Sequence, residues 1–195
     1  MLLTVDEAIR SRRATRKYTD QVPSDEVIDQ IAELALEAPS AFNAQRRDLV
    51  VVRDPNIKQK IFDASGQQQF LDAPVIFITV ARAEVTQDDE ESILGTEMTA
   101  GQTAWRSQQT PARLREDALK DATLVSGFLL IAAQAHGLAT SPTTGWDEQK
   151  VKEAIGIGSR EDRAISLVVA AGYPDENPAN PGRAPQRRIN DSYTS

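Results

Sequence analysis

The chain has 195 residues, 40% hydrophobic and 26% charged, and a formal net charge of −7. That is enough chain to bury a core within one domain, and the acidic balance speaks against a general nucleic-acid binder. With no cysteine and one histidine, disulfides, thiolate catalysis, Cys-ligated metals and a zinc site of several histidines are excluded.

Residues 1–10, MLLTVDEAIR, contain no leader-like apolar run. The longest apolar stretch, around Phe128–Ala135, is too short to span a bilayer. A cytoplasmic protein without membrane or nucleic-acid partners is expected. Thr4 and Glu7 form a capping box that opens a short helix ending near Arg13. Arg12, Arg13, Arg16 and Lys17 gather at that end, where cations suit the helix dipole even without a further role. Pro23-Ser24-Asp25-Glu26 opens a second helix, with Ile28, Ile31, Leu34 and Ala35 at helical spacing on one face. Pro39 lies just past its end.

A polar segment, SAFNAQRRD, leads into LVVV at 49–52, which reads as a strand buried on both faces. Asp54-Pro55 ends it, a short helix spans about Ile57–Ala64, and Gly66-Gln67-Gln68-Gln69 follows. Residues 74–81, PVIFITVA, are a second buried strand. Residues 84–115 begin polar and acidic, and are expected to be partly helical and to contribute to a substrate pocket. From Arg115 to His136 the pattern is one long helix. Its second half, LVSGFLLIAAQAH, is apolar nearly all round, as in a central buried helix or a subunit interface. Gly137 is its stop, and His136 reads as a structural cap.

SPTTGWD at 141–147 reads as a turn-rich loop, from which Asp147 caps a helix running to Ile155. Residues 164–171, AISLVVAA, are a third buried strand. Beyond Gly172 the chain is Pro-rich and has almost nothing apolar. It cannot build a core of its own and must be disordered or lie extended on another surface, such as a partner subunit. The order of elements implies an α+β fold: a sandwich with a small mixed sheet covered by helices and an extended C-terminal tail, in one domain over 1–195. Neither G-x-G-x-x-G nor a P-loop is present.

Taken in order, RRATRKY, APSAFNAQ before LVVV, DAPVIF, a buried helix, PTTGWD, LVVAAGYP and a terminal Arg pair resemble the nitroreductase family of flavoproteins over nearly the whole chain. The resemblance implies an α+β homodimer that holds FMN at the subunit interface. It places Arg12, Arg13 and Arg16 in a basic motif and makes Arg187 or Arg188 the tail arginine that joins it at the FMN phosphate. Guanidinium forks match phosphate oxygens in bidentate fashion. Arg16 stands at the position whose cation lies near flavin N1 and O2, and favours the reduced, anionic flavin. Ala14 stands where a Ser is frequent, and Lys17 has no matching role.

The family motif P-S-S-x-N-x-Q-P corresponds to Pro39-Ser40-Ala41-Phe42-Asn43-Ala44-Gln45-Arg46. Ser40, Asn43 and Gln45 agree, while Ala41 and Arg46 depart. In the family this segment lies against the flavin of the other subunit. Gln67 and Gln69 match contacts to the flavin pyrimidine edge, which needs both a donor and an acceptor. In PTTGWD, Pro142, Thr143, Thr144 and Gly145 match a loop whose backbone N–H reaches flavin N5, with Thr144 where Glu is frequent.

The implied activity is FMN-dependent transfer of electrons from NADH or NADPH to a small electrophile, by a ping-pong mechanism with no side chain as acid or base. A flavin-binding protein without NAD(P)H turnover, acting in storage or sensing, is the alternative.

Overall fold

The computed structural model describes residues 2–192. Helix α1 spans Val5–Ser11 and starts at the expected box. Thr4 Oγ1 accepts from Glu7 N at 3.3 Å, and Thr4 N donates to Glu7 Oε2 at 2.8 Å. Helix α2, Asp25–Leu36, is capped by Ser24 and buries Ile28, Ile31 and Ala35. Leu34, expected on the same face, is exposed.

Strand β1 covers Arg47–Val52, helix α3 Pro55–Asp63, helix α4 Gln69–Asp72 and strand β2 Val75–Arg82. Helices α5, Glu90–Leu94, and α6, Thr96–Arg106, form an excursion before the long helix α7, Pro111–Ala135. Helix α7 starts earlier than its periodicity suggested, because Thr110 caps it and Pro111 occupies its first turn, where a missing N–H costs nothing. Strand β3, Ala139–Thr143, helix α8, Glu148–Ala154, and strand β4, Arg163–Gly172, complete the fold.

The strands pair in the order β1-β2-β4-β3, and every ladder is antiparallel. The sheet is mixed only through an isolated parallel bridge between Ala14 and Thr140. Strand β1 is an edge strand and is half-buried over residues 48–51, rather than enclosed on both faces. Strand β3 occupies the other edge, in a stretch the sequence presents as a loop. Pro142 is tolerated there because an edge strand can spare one N–H.

Two helical layers cover the sheet. Val75, Phe77, Val169 and Ala171 face α2 and α7. Ile76, Ile78, Val80, Val168 and Ala170 face α3, α4 and α8. A bulge lies between Thr79 and Val80, where Thr79 pairs with Leu167 and Val80 with Ile165. The extra residue, Ser166, resets the alternation, so Ile165 joins the same layer as Val168. Helix α7 is long and apolar enough to cross a membrane by length and composition, but one of its faces carries the core against the sheet. Its other face leaves Leu124 and Phe128 exposed, so it is not buried all round.

Candidate active site

Three of the polar segments meet at the β3 edge. The chain after α1 runs beside β3, with Thr15 N donating to Thr140 O at 3.0 Å. The tail follows the same path: Thr19 N donates to Tyr173 O at 2.9 Å, and Asp175 N to Lys17 O at 3.0 Å. The Glu176 carboxylate then accepts from the backbone N–H of Arg16 at 2.6 Å and of Lys17 at 3.3 Å. Tyr18 lies beneath, donating its hydroxyl to Thr15 O at 2.6 Å, and burial pushes its phenol pKa up. The tail is therefore fastened to the basic segment by its own backbone.

The basic residues divide by role. Arg13 donates to Arg10 O at 2.7 Å and Arg12 O at 2.8 Å, which makes it a side-chain cap for the end of α1. Arg16 is exposed, and among the described residues its guanidinium forms no ion pair. Arg12 differs from both. Its Nη1 is shielded from water and has no hydrogen-bond partner. Burial, then repulsion from Arg183 and Arg13, lower its pKa. A shielded cation facing other cations, with an unused donor, is a site that an anion would stabilise. The tail residue exerting that field is Arg183, which the sequence reading passed over; Arg187 and Arg188 are exposed. The available signal was a further arginine in the coreless tail, at PGRAP. Ala14 adds only its bridge to Thr140.

Beside this corner, the glutamine loop and the 142–145 segment are joined. Gln67 Nε2 donates to Thr143 Oγ1 at 2.9 Å and to Gly145 O at 2.8 Å. Gln69, 7% exposed, donates to Gln67 Oε1 at 2.6 Å. Both N–H groups of Gln67 are thus spent on the turn, leaving Gln69 with capacity for a ligand. Thr143 Oγ1 also accepts from Gly145 N at 3.2 Å. A Cβ at Gly145 would come within 3.4 Å of Gln67 Nε2, so glycine lets the turn pack closely against the glutamine. Pro142 is half-buried in β3, whereas Thr144 and Gly145 are exposed. An exposed glycine turn beside a glutamine pair can receive the edge of a planar polar ligand.

The fourth segment does not join them. Pro39, Ser40, Ala41 and Asn43 precede β1, at the opposite sheet edge. Ser40 Oγ accepts from Gln45 N at 2.9 Å, and Asn43 N donates to Ser40 O at 3.0 Å. Pro39, Ala41 and Asn43 are exposed.

Sequence reasoning also missed a buried polar network under this loop. Arg106 of α6 and Glu90 of α5 form an ion pair with side-chain exposures of 1% and 0%. Arg106 also donates to Val85 O at 2.6 Å. Gln87 Nε2 donates to Ala44 O at 2.7 Å, and Arg47 donates to Leu36 O and Ala38 O at 2.8 and 2.9 Å. Asp121 of α7 is buried beside the Arg46 and Arg47 charges. Burial raises its pKa against the opposing charges of Arg47 and Arg46. No local motif announces these contacts, because their partners come from separate elements.

A helix-covered antiparallel sheet with an unpaired arginine and a glutamine-glycine turn at one edge defines a class of small-ligand α+β protein. The chain belongs to the nitroreductase family, whose model matches residues 9–173. It is 32% identical to an NADH dehydrogenase of Thermus thermophilus, over 96% of this chain and 95% of that one. It is 29% identical to an FMN reductase [NAD(P)H] of Bacillus subtilis, over 97% of this chain and 74% of that protein. The fold matches a structure from Exiguobacterium sibiricum solved in complex with FMN, with a TM-score of 0.86 at 22% identity over 98% of each chain.

Proposed function

We propose that residues 1–195 form a single FMN-binding domain that works as a homodimer and passes electrons from NADH or NADPH to a small electrophilic acceptor. The observation that carries this reading is the unpaired, shielded guanidinium of Arg12 under the field of Arg183, beside the Gln69–Gln67–Gly145 turn. An anion donor next to a planar polar edge suits a phosphate-bearing flavin. The names of the Thermus and Bacillus relatives agree with it.

In this reading Arg12 and Arg183 hold the FMN phosphate, with Arg187 or Arg188 assisting from the tail. Arg13 joins only by releasing the end of α1. Arg16 supplies positive charge toward the pyrimidine edge, Gln69 donates to and accepts from it, and Gln67 sets the turn that presents the backbone of Thr143–Gly145. Bound FMN would supply the two-electron redox chemistry in a ping-pong cycle, a reduced nicotinamide and a nitroaromatic, quinone or similar electrophile alternating on one face. No side chain is assigned a proton-transfer step.

Two features support the homodimer. The Pro39–Asn43 loop stands at the far sheet edge from Arg12, so it reaches a flavin site only in a second copy. An apolar groove of about 440 Å³, lined by Leu3, Val5, Ile9, Leu34, Phe128 and Ile131, lies between α1, α2 and α7. None of the arginines is among its lining residues, and we assign it to the contact with that copy.

The test is the absorption spectrum of the purified protein, followed by anaerobic stopped-flow mixing with NADH and NADPH. Oxidised-flavin bands that bleach with either nucleotide are expected. Flavin bands that bleach with neither would leave a storage or sensing protein. A colourless protein that cannot be reconstituted with FMN would overturn the cofactor as well.

A further inference from the structure

The loop before β1 holds a conformational anomaly. Phe42, Asn43 and Gln45 have φ of 57°, 58° and 51°. In this left-handed region a Cβ crowds the following carbonyl. Asn is at home there, whereas a bulky aromatic residue is an outlier. Phe42 is also 66% exposed, so its ring forgoes the gain of burial. Two penalties therefore fall on one residue.

The loop around it is not loose. Ser40 ties to Gln45 and Asn43 across the turn, and Ala44 N donates to Ala41 O at 3.0 Å. From below, buried Gln87 holds Ala44 O, and Arg47 N donates to Gln45 O at 2.7 Å. The backbone is fastened on both sides of Phe42, so the ring is held out by its frame. Strain kept in a rigid frame at an exposed side chain motivates a functional assignment.

We propose that Phe42 is a specificity-determining residue: a fixed aromatic face on which a planar, electron-poor acceptor ring stacks. The proposal rests on the reading above, in which this loop of one subunit completes the flavin site of the other. The face of a phenyl ring is electron-rich. A ring drained of density by nitro or carbonyl groups has the opposite polarity and stacks on it favourably. An aliphatic molecule with the same functional group gains apolar contact but no such complementarity.

The test is calorimetric titration of the oxidised holoenzyme, without turnover, using nitrobenzene and nitrocyclohexane as the paired probes. Phe42→Leu keeps apolar bulk and removes the ring. It is expected to reduce the preference for nitrobenzene over nitrocyclohexane by about 3- to 10-fold, and Phe42→Tyr to restore it. Equal loss for both probes would overturn the proposal. So would dissociation of the homodimer in Phe42→Leu on size-exclusion chromatography, since the ring would then be a subunit contact. Absence of flavin in the wild-type spectrum would instead defeat the underlying reading, and is seen before any titration.

Discussion

Arg12 and Arg106 make an instructive pair. Both have guanidinium nitrogens withdrawn from water, and their surroundings are opposite. Arg106 meets a carboxylate and a carbonyl inside the protein. Arg12 meets Arg13 and Arg183 and leaves Nη1 unpaired. A buried charge satisfied by its own chain holds structure together, whereas one surrounded by like charge awaits an anion from outside. The charge of Arg106 is therefore matched within the chain, although Gln87 Oε1 and Thr99 Oγ1 nearby have no partner, whereas the charge of Arg12 is not matched.

The sharpest way to break this contrast is to remove Arg106. Arg106→Ala strands Glu90 in the core, and urea unfolding should show a loss of about 3–5 kcal/mol. Replacing both partners, Glu90→Leu with Arg106→Met, should recover most of it, since well-packed apolar residues tolerate that environment. A double variant as unstable as the single one would mean that the pair does more than satisfy itself. Arg12→Ala should behave in the opposite way: little change in the unfolding of the apoprotein, but FMN affinity weakened by about 1.5–3 kcal/mol in fluorescence titration. Arg183→Ala should follow in the same direction with a smaller loss, because it acts on Arg12 through its field as well as on the ligand. A loss of apoprotein stability in Arg12→Ala that matched Arg106→Ala would erase the distinction between the two corners.

The smallest expected effect concerns Asp121. Its folded pKa is raised by burial, so the folded state holds a proton at pH values where the unfolded chain has lost it. Its contribution is present below the unfolded value of about 3.9 and is lost as pH rises through the folded one. Asp121→Asn should flatten that part of the stability–pH curve. Thermal melts across the acidic range check it, and an unchanged slope would remove Asp121 as its source.

Local chemistry made much of the fold legible. Thr4, Ser24 and Asp147 cap the helices that their side chains announce, while Asp54, read as the end of a strand, caps α3 as well. Apolar runs mark β2 and β4, because a strand enclosed on both faces has no polar alternation. The same rule misled at β1, whose valines sit on an edge strand with a thinner cover. It was silent at β3, where Ser141, Pro142 and Thr143 carry no apolar period and pairing with β4 alone makes the strand. At the candidate site, residue order gave the segments but not their grouping. That Gln67 serves the turn, that Arg13 caps its own helix and that Arg183 faces Arg12 are matters of three-dimensional approach. The Gln87 support of the 41–46 loop was invisible for the same reason.

The centre of the sheet also sets a schedule. Strand β2 is buried along its whole length, yet its neighbour β4 begins only at Arg163, with α5, α6, α7, β3 and α8 made in between. At a synthesis rate of about 5–20 residues per second, this largely apolar strand leaves the ribosome several seconds before its central partner exists. Until then β1, α2, α3 and α4, made earlier, and α7, made next, are what can cover it. A chain stalled before β4 would leave the β4-facing edge of β2 unpaired and open to pairing with another chain.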